Sequence, residues 1–132
     1  MNNLIGIIAG EPNSINSELL GKIWKKKSIF KKSNIFIIGN YDLIKKQLKK
    51  IKIKIKIKKI LKIEKQIFNK ELLILDVPLN FNDPFKVSIK QKRNYLIKSF
   101  NIAIKLAKSS KAKCKIIRMF QVYKNVTVVY NN

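Results

Sequence analysis

A chain of 132 residues with a formal charge of +23, one cysteine and no histidine has room for one domain with a modest core, or for part of a larger one. Without histidine it cannot assemble a Ser-His-Asp or Cys-His nucleophile, and it lacks the commonest transition-metal ligand. No apolar run approaches the roughly 20 residues that span a bilayer, the N-terminus has neither the basic nor the long apolar region of a signal peptide, and Cys114 has no intramolecular partner, so the expectation is a cytoplasmic protein with no membrane contact.

Leu4-Ile5-Gly6-Ile7-Ile8-Ala9 is short, apolar and rich in β-branched residues, the signature of a strand buried on both faces. Gly10-Glu11-Pro12-Asn13-Ser14 stops it, because Gly permits unusual φ and Pro removes a backbone donor. A helix is predicted next. Asn13 or Ser14 would cap it, Ser14 with Ser17 or Glu18 offers a capping box, and Ile15, Leu19, Leu20, Ile23 and Trp24 form its apolar face. A strand, a tight polar turn and a helix N-terminus is the unit with which open α/β sheets build ligand sites. The same pattern also describes an ordinary βα connection, and neither Gly-x-Gly-x-x-Gly nor Gly-Lys-Ser/Thr is present to identify cofactor-binding residues.

After a basic connector, residues 34–40 are a second apolar run closed by a turn, hence a second buried strand. Residues 41–50 read as a helix with Leu43, Ile44 and Leu48 inside, lysines outside and Asp42 in the first turn, where the dipole favours a negative charge. Residues 51–58 alternate Ile and Lys without a break, which predicts a half-buried strand whose lysines also discourage edge-to-edge pairing. Residues 60–70 read as a helical or irregular link. Residues 72–79 are the next strand, ended at Pro78, and 80–88 a loop with Asp83 and Pro84. A helix over about 89–109 would place Leu96, Phe100, Ala103, Ile104 and Ala107 on its inner face. Strand-like runs begin at 113–117 and 126–130. Strands and helices alternate, so the expected fold is α/β, a mostly parallel sheet with flanking helices.

The charge normally suggests nucleic acid. Here 28 lysines stand against Arg93 and Arg118 alone, and Ile, Lys and Asn make up 66 of the 132 residues. Those three amino acids have A/T-rich codons, so a biased genome accounts for much of the charge, and base readout favours Arg. Specific nucleic-acid binding is not expected. Of the seven carboxylates, Glu11, Asp76 and Asp83 fall at strand-end turns, where they could gather at one edge of the sheet or simply be solvated.

Ile7-Ile8-Ala9-Gly10-Glu11-Pro12-Asn13-Ser14-Ile15-Asn16-Ser17-Glu18 resembles the opening of 4-hydroxythreonine-4-phosphate dehydrogenase, where a strand enters a Gly-Asp-Pro-Ala-Gly-Ile-Gly-Pro-Glu turn and a helix; Gly10, Pro12, Ile15 and Glu18 fall on matching positions. Phe36-Ile37-Ile38-Gly39-Asn40-Tyr41-Asp42-Leu43, Asp76-Val77-Pro78-Leu79 and the helix from Tyr95 to Lys108 resemble later landmarks in the same order. The resemblance implies the first half of an isocitrate/isopropylmalate dehydrogenase-like fold, with Gly10, Glu11 and Pro12 as the candidate active-site loop. It also implies a homodimeric family that oxidises a small phosphorylated substrate, 4-phosphooxy-threonine, with NAD and a divalent metal, in pyridoxal phosphate biosynthesis.

Glu11 stands where the family has Asp, and after Cys114-Lys115-Ile116-Ile117 the family's Gly-Pro-Ile-x-Lys loop is replaced by Arg118-Met119-Phe120-Gln121-Val122-Tyr123. The expected division is therefore 1–113, a partial α/β domain resembling the enzyme, and 114–132, a divergent tail such as a frameshift would produce. The family's metal-binding histidines have no counterpart, so no catalytic or metal-ligand residue is assigned, and neither NAD nor metal is expected on this chain. The competing reading is a small lysine-rich, non-catalytic module for nucleic acid or other polyanions.

Overall fold

The computed structural model describes residues 3–26, 33–64, 68, 70–109 and 114–119. In chain order they form β1 (Asn3–Ile8), α1 (Asn16–Lys25), β2 (Ser33–Gly39), α2 (Tyr41–Lys50), β3 (Ile57–Ile60), β4 (Leu72–Asp76), α3 (Ile89–Lys108) and β5 (Cys114–Arg118). The five strands make one parallel sheet in the order β3-β4-β2-β1-β5. The α/β expectation is met. Because parallel neighbours need crossover connections, each of the three helices is forced onto a face of the sheet.

The period-two geometry of β2 explains its continuous apolar run. Ile35 and Ile37 join Ile7, Leu72 and Ile74 under α1 and α2, while Phe36 and Ile38 join Ile8, Leu73 and Leu75 under α3. Gly6 sits in register between Phe36 on β2 and Ile116 on β5. A Cβ there would lie 2.7 Å from the Phe36 ring and 2.9 Å from Ile116, so the missing side chain is what lets the Phe36 ring lie across β1.

α2 matches its predicted bounds. Asn40 caps it by accepting from the Leu43 amide at 2.9 Å. α1 differs from expectation at its start. It begins at Asn16, Ile15 is 63% exposed instead of facing the core, and neither Asn13 nor Ser14 is its cap residue. Ser14 Oγ accepts from the Asn16 amide at 3.2 Å, one residue short of the span a capping box requires. Leu20, Ile23 and Trp24 are buried as expected.

Residues 51–56 are not a strand, although they alternate. Lys52 adopts φ 59°, its amide donates to Lys49 O at 3.2 Å, and the Ile53 amide donates to Leu48 O at 3.0 Å. These paired bonds are the Schellman close of α2, with lysine in the left-handed position usually held by glycine. Ile53 and Leu48 meet over Gly21, where a Cβ would come within 2.8 Å and 3.0 Å of them. The isoleucines at 51, 53, 55 and 57 still pack against the core under α1 and α2, so period two describes burial here while ladder pairing begins only at β3.

α3 is rotated by about one residue from the predicted face. Tyr95, Ser99 and Ala103 are buried, while Phe100 is 43% and Ile104 49% exposed. The polar atoms of the buried face are satisfied internally: Ser99 Oγ donates to Tyr95 O at 2.8 Å, and Tyr95 Oη accepts from the Asn40 amide at 3.0 Å. Residues 126–130, read as a strand from sequence, lie outside the described residues, as does part of the 60–70 link.

Candidate functional site

Parallel α/β sheets place ligand sites at the carboxyl ends of their strands, where loops meet helix N-termini. In this chain those loops are tied by one polar network. Gln47, on the inner face of α2 and 2% exposed, donates both amide hydrogens, to Pro12 O and to Pro84 O, each at 2.7 Å. Its Oε1 accepts from Ser17 Oγ at 2.5 Å. One side chain therefore joins the turn after β1, the loop after β4 and helix α1. Asn13 doubles the link, donating to Val87 O at 2.9 Å and accepting from the Val87 amide at 2.8 Å.

A second cluster closes the ends of β2 and β4. Asn40 Nδ2 donates to Val77 O at 2.8 Å, and Asp76 Oδ1 accepts from the Tyr41 amide at 2.9 Å. Burial pushes the Tyr95 phenol up to about 12, opposed by its hydrogen bond from Asn40 and assisted by the charge of Asp76. A phenol held that high stays protonated at neutral pH, and its oxygen is already engaged, so Tyr95 is a structural member of the site.

The loop residues singled out from sequence separate in space. Gly10, at φ 78°, lines a crevice of about 520 Å³ at the carboxyl ends of β1 and β5, together with Ile8, Leu19, Phe100 and Met119. Glu11 instead caps its own turn, accepting from the Asn13 amide at 3.2 Å and pairing with Lys92 at 3.4 Å. Pro12 is buried and contributes its carbonyl to Gln47.

Asp76 and Asp83 are likewise engaged close to home. Asp83 accepts from the Phe85 amide at 2.9 Å, and Asp76 pairs with Lys59 at 3.7 Å. Among the described residues no group of three His, Cys, Asp or Glu side chains lies together, so the donor set there does not fit a divalent metal. Cys114 is no better as a nucleophile, because burial pushes its thiol up against the opposing hydrogen bond from Gly6.

Gln47, Asn40 and Tyr95 tie the carboxyl-end loops, a role that the sequence reading does not assign them, and Asn13 is expected there only as a helix cap. Gln47 did carry a signal: it falls on the same helical face as Leu43, Ile44 and Leu48, and a polar side chain there must find buried partners. The crevice itself is mostly apolar, with Asn16 and Arg118 as its polar contributions. Asn16 Nδ2 is committed to Ala9 O at 2.8 Å.

No protein-family model and no curated protein matches the chain. Several solved structures do, among them two with dehydrogenase names. One, from Salmonella typhimurium and named a candidate 4-hydroxythreonine-4-phosphate dehydrogenase, is 18% identical with a TM-score of 0.71, over 89% of this chain and 37% of that one. The other, a 4-hydroxythreonine-4-phosphate dehydrogenase from Burkholderia phymatum, is 19% identical with a TM-score of 0.73, over 85% of this chain and 34% of that one. At such identities the likeness shows a shared fold, and it is the fold of the enzymes that the sequence resembles. The chain spans about a third of the length of both structures. Among the described residues no helix is long and apolar enough to cross a membrane.

Proposed function

We propose that this chain corresponds to the N-terminal part of a 4-hydroxythreonine-4-phosphate dehydrogenase and does not catalyse that oxidation by itself. One observation carries the reading: the fold matches, over most of this chain, the enzymes whose opening strand, turn and helix its sequence resembles. In such an enzyme NAD would accept hydride from the carbon that bears the substrate hydroxyl, the hydroxyl proton would pass to a base, and a divalent metal would polarise the oxygen. This chain has no histidine and, among its described residues, no clustered donor set, so no step is assigned to it through either group. Its own contribution is architectural. The Gln47 and Asn13 bonds hold the turn after β1 and the loop after β4 in fixed relation to α1 and α2, and positioning of that kind is a precondition for chemistry at a sheet's edge.

The test is metal-dependent NADH production from 4-phosphooxy-threonine by the purified chain. The expected rate equals the protein-free blank; turnover above it that a chelator abolishes would overturn the reading of inactivity. In the same proposal residues 1–113 carry the resemblance and 114–132 diverge from it. Reading the gene just beyond Lys113 in its other two frames checks this, because a Gly-Pro-Ile-x-Lys run there supports a frameshift, and its absence from both removes that explanation.

A further inference from the structure

Among the described residues, the turn after β1 and the loop after β4 are joined in two places that differ in their access to water. One joint is buried: Gln47, 2% exposed, donates to Pro12 O and to Pro84 O. The other lies at the rim. Asn13 is exposed, yet its side-chain amide both donates to Val87 O and accepts from the Val87 amide, as a neighbouring strand would. Beside it the Glu11–Lys92 pair, with side chains 38% and 28% exposed, ties the same turn to the first turn of α3.

Each loop is braced without the other. In the turn after β1, Ser14 Oγ donates to Glu11 O at 2.5 Å and Asn16 Nδ2 to Ala9 O at 2.8 Å. In the loop after β4, Asp83 accepts from the Phe85 amide at 2.9 Å through its side chain and from the Lys86 amide at 3.1 Å through its carbonyl. α2 holds the first half of that loop, with Lys50 pairing to Asp83 at 3.8 Å and Lys46 lying 5.2 Å from the centre of the Phe81 ring. Water competes for the bonds at the rim and not for those of Gln47, so the rim joint is the weaker. Local opening starts where hydrogen bonds are least shielded. We infer that Asn13 is a latch and Gln47 a pivot: the folded chain opens by releasing the Asn13–Val87 bonds while the Gln47 bonds to Pro12 and Pro84 stay made. The open form frees the Val87 amide and carbonyl, one residue before the cap of α3. Closing consumes both, so the latch sets whether the backbone at this edge of the sheet is available to any other group.

Residue-resolved hydrogen exchange on the full chain tests this by comparing the Val87 backbone amide with the Gln47 side-chain amide. Val87 should be protected at least about tenfold less than Gln47, and its protection should not change in low urea, as for an opening that exposes little surface. Asn13→Ala should lower the protection of Val87 about tenfold further and leave that of Gln47 unaltered. The retained Gln47 protection then shows that the variant is folded. Protection of Val87 equal to that of Gln47 or above it would make the two joints one cooperative unit and overturn the proposal. So would a Val87 protection that weakens with urea as Gln47 does, one that Asn13→Ala leaves unchanged, or a loss at Gln47 as large as that at Val87.

Discussion

Replacing Gln47 with leucine removes three hydrogen bonds while keeping nearly the same volume. The bonds to Pro12 O and Pro84 O and from Ser17 Oγ are worth about 1 kcal/mol each, and each buried partner left unpaired costs about 1–3 kcal/mol where water cannot reach it. Leucine returns about 1 kcal/mol through apolar burial beside Leu43 and Leu48. The net expectation is a loss of about 3 kcal/mol, a large share of the roughly 5–15 kcal/mol that holds a domain of this size. Urea unfolding should show a midpoint lowered by about 1–2 M with an unchanged slope.

Amide exchange at Asn13 and Val87 should quicken, because the loops these residues join lose their shared anchor. Ser17→Ala separates this account from simple loss of packing. In the wild-type chain it strands Gln47 Oε1 and costs about 1–2 kcal/mol; in the Gln47→Leu background it removes a hydroxyl already orphaned and costs almost nothing. Additive losses in the double variant, or a single-variant loss under about 0.5 kcal/mol, would refute the idea that Gln47 organises the carboxyl-end loops.

Tyr95→Phe should cost about 1–2 kcal/mol at neutral pH, since the Asn40 amide loses its buried acceptor. The Tyr95 phenol lies at about 12 against the ordinary 10, so the unfolded chain releases this proton first; the protonated-state stability is complete below pH 10 and is lost as pH rises toward 12. The difference in unfolding free energy between wild type and Tyr95→Phe should therefore shrink over that window, and a difference flat with pH contradicts the burial of the phenol. Gly6→Ala should destabilise by about 1–3 kcal/mol, because its Cβ would meet Phe36 and Ile116 below 3 Å; a neutral thermal shift counts against that packing. Filter binding to DNA should be weak, indifferent to sequence and steeply reduced by salt, and discrimination between sequences at physiological salt would favour a binding module.

The sequence disclosed the layers better than the seams between them. β2 and α2 are legible because their apolar residues fall at periods of two and of 3.6 with little competition. Residues 51–58 misled because alternation reports which side chains face the core and says nothing of whether the backbone has a neighbour; a left-handed Lys52 delays that neighbour until Ile57. α3 misled for the opposite reason. Its aliphatic residues occupy an outer face, and the face it buries contains Tyr95 and Ser99, whose polar atoms find partners on another element or within the helix. The Gln47 network was out of reach, since two of its three partners are backbone carbonyls 35 and 37 positions away. Backbone carbonyls leave no mark in a sequence.

The glycines bear on how this composition arose. Half the chain is Ile, Lys or Asn, and only four glycines remain. Gly6, Gly21 and Gly39 each sit where a methyl group would come within 3 Å of another residue's atoms, and Gly10 sits at a positive φ. The left-handed position at Lys52, which is exposed and tolerates a side chain at modest cost, has no glycine. Isoleucine fills the core as lysine covers the surface, yet excluded volume admits no side chain at these three positions. A side chain at any of them would have to displace Phe36, Ile53 or Tyr95, so these three bare positions are set by the fold and not by the composition.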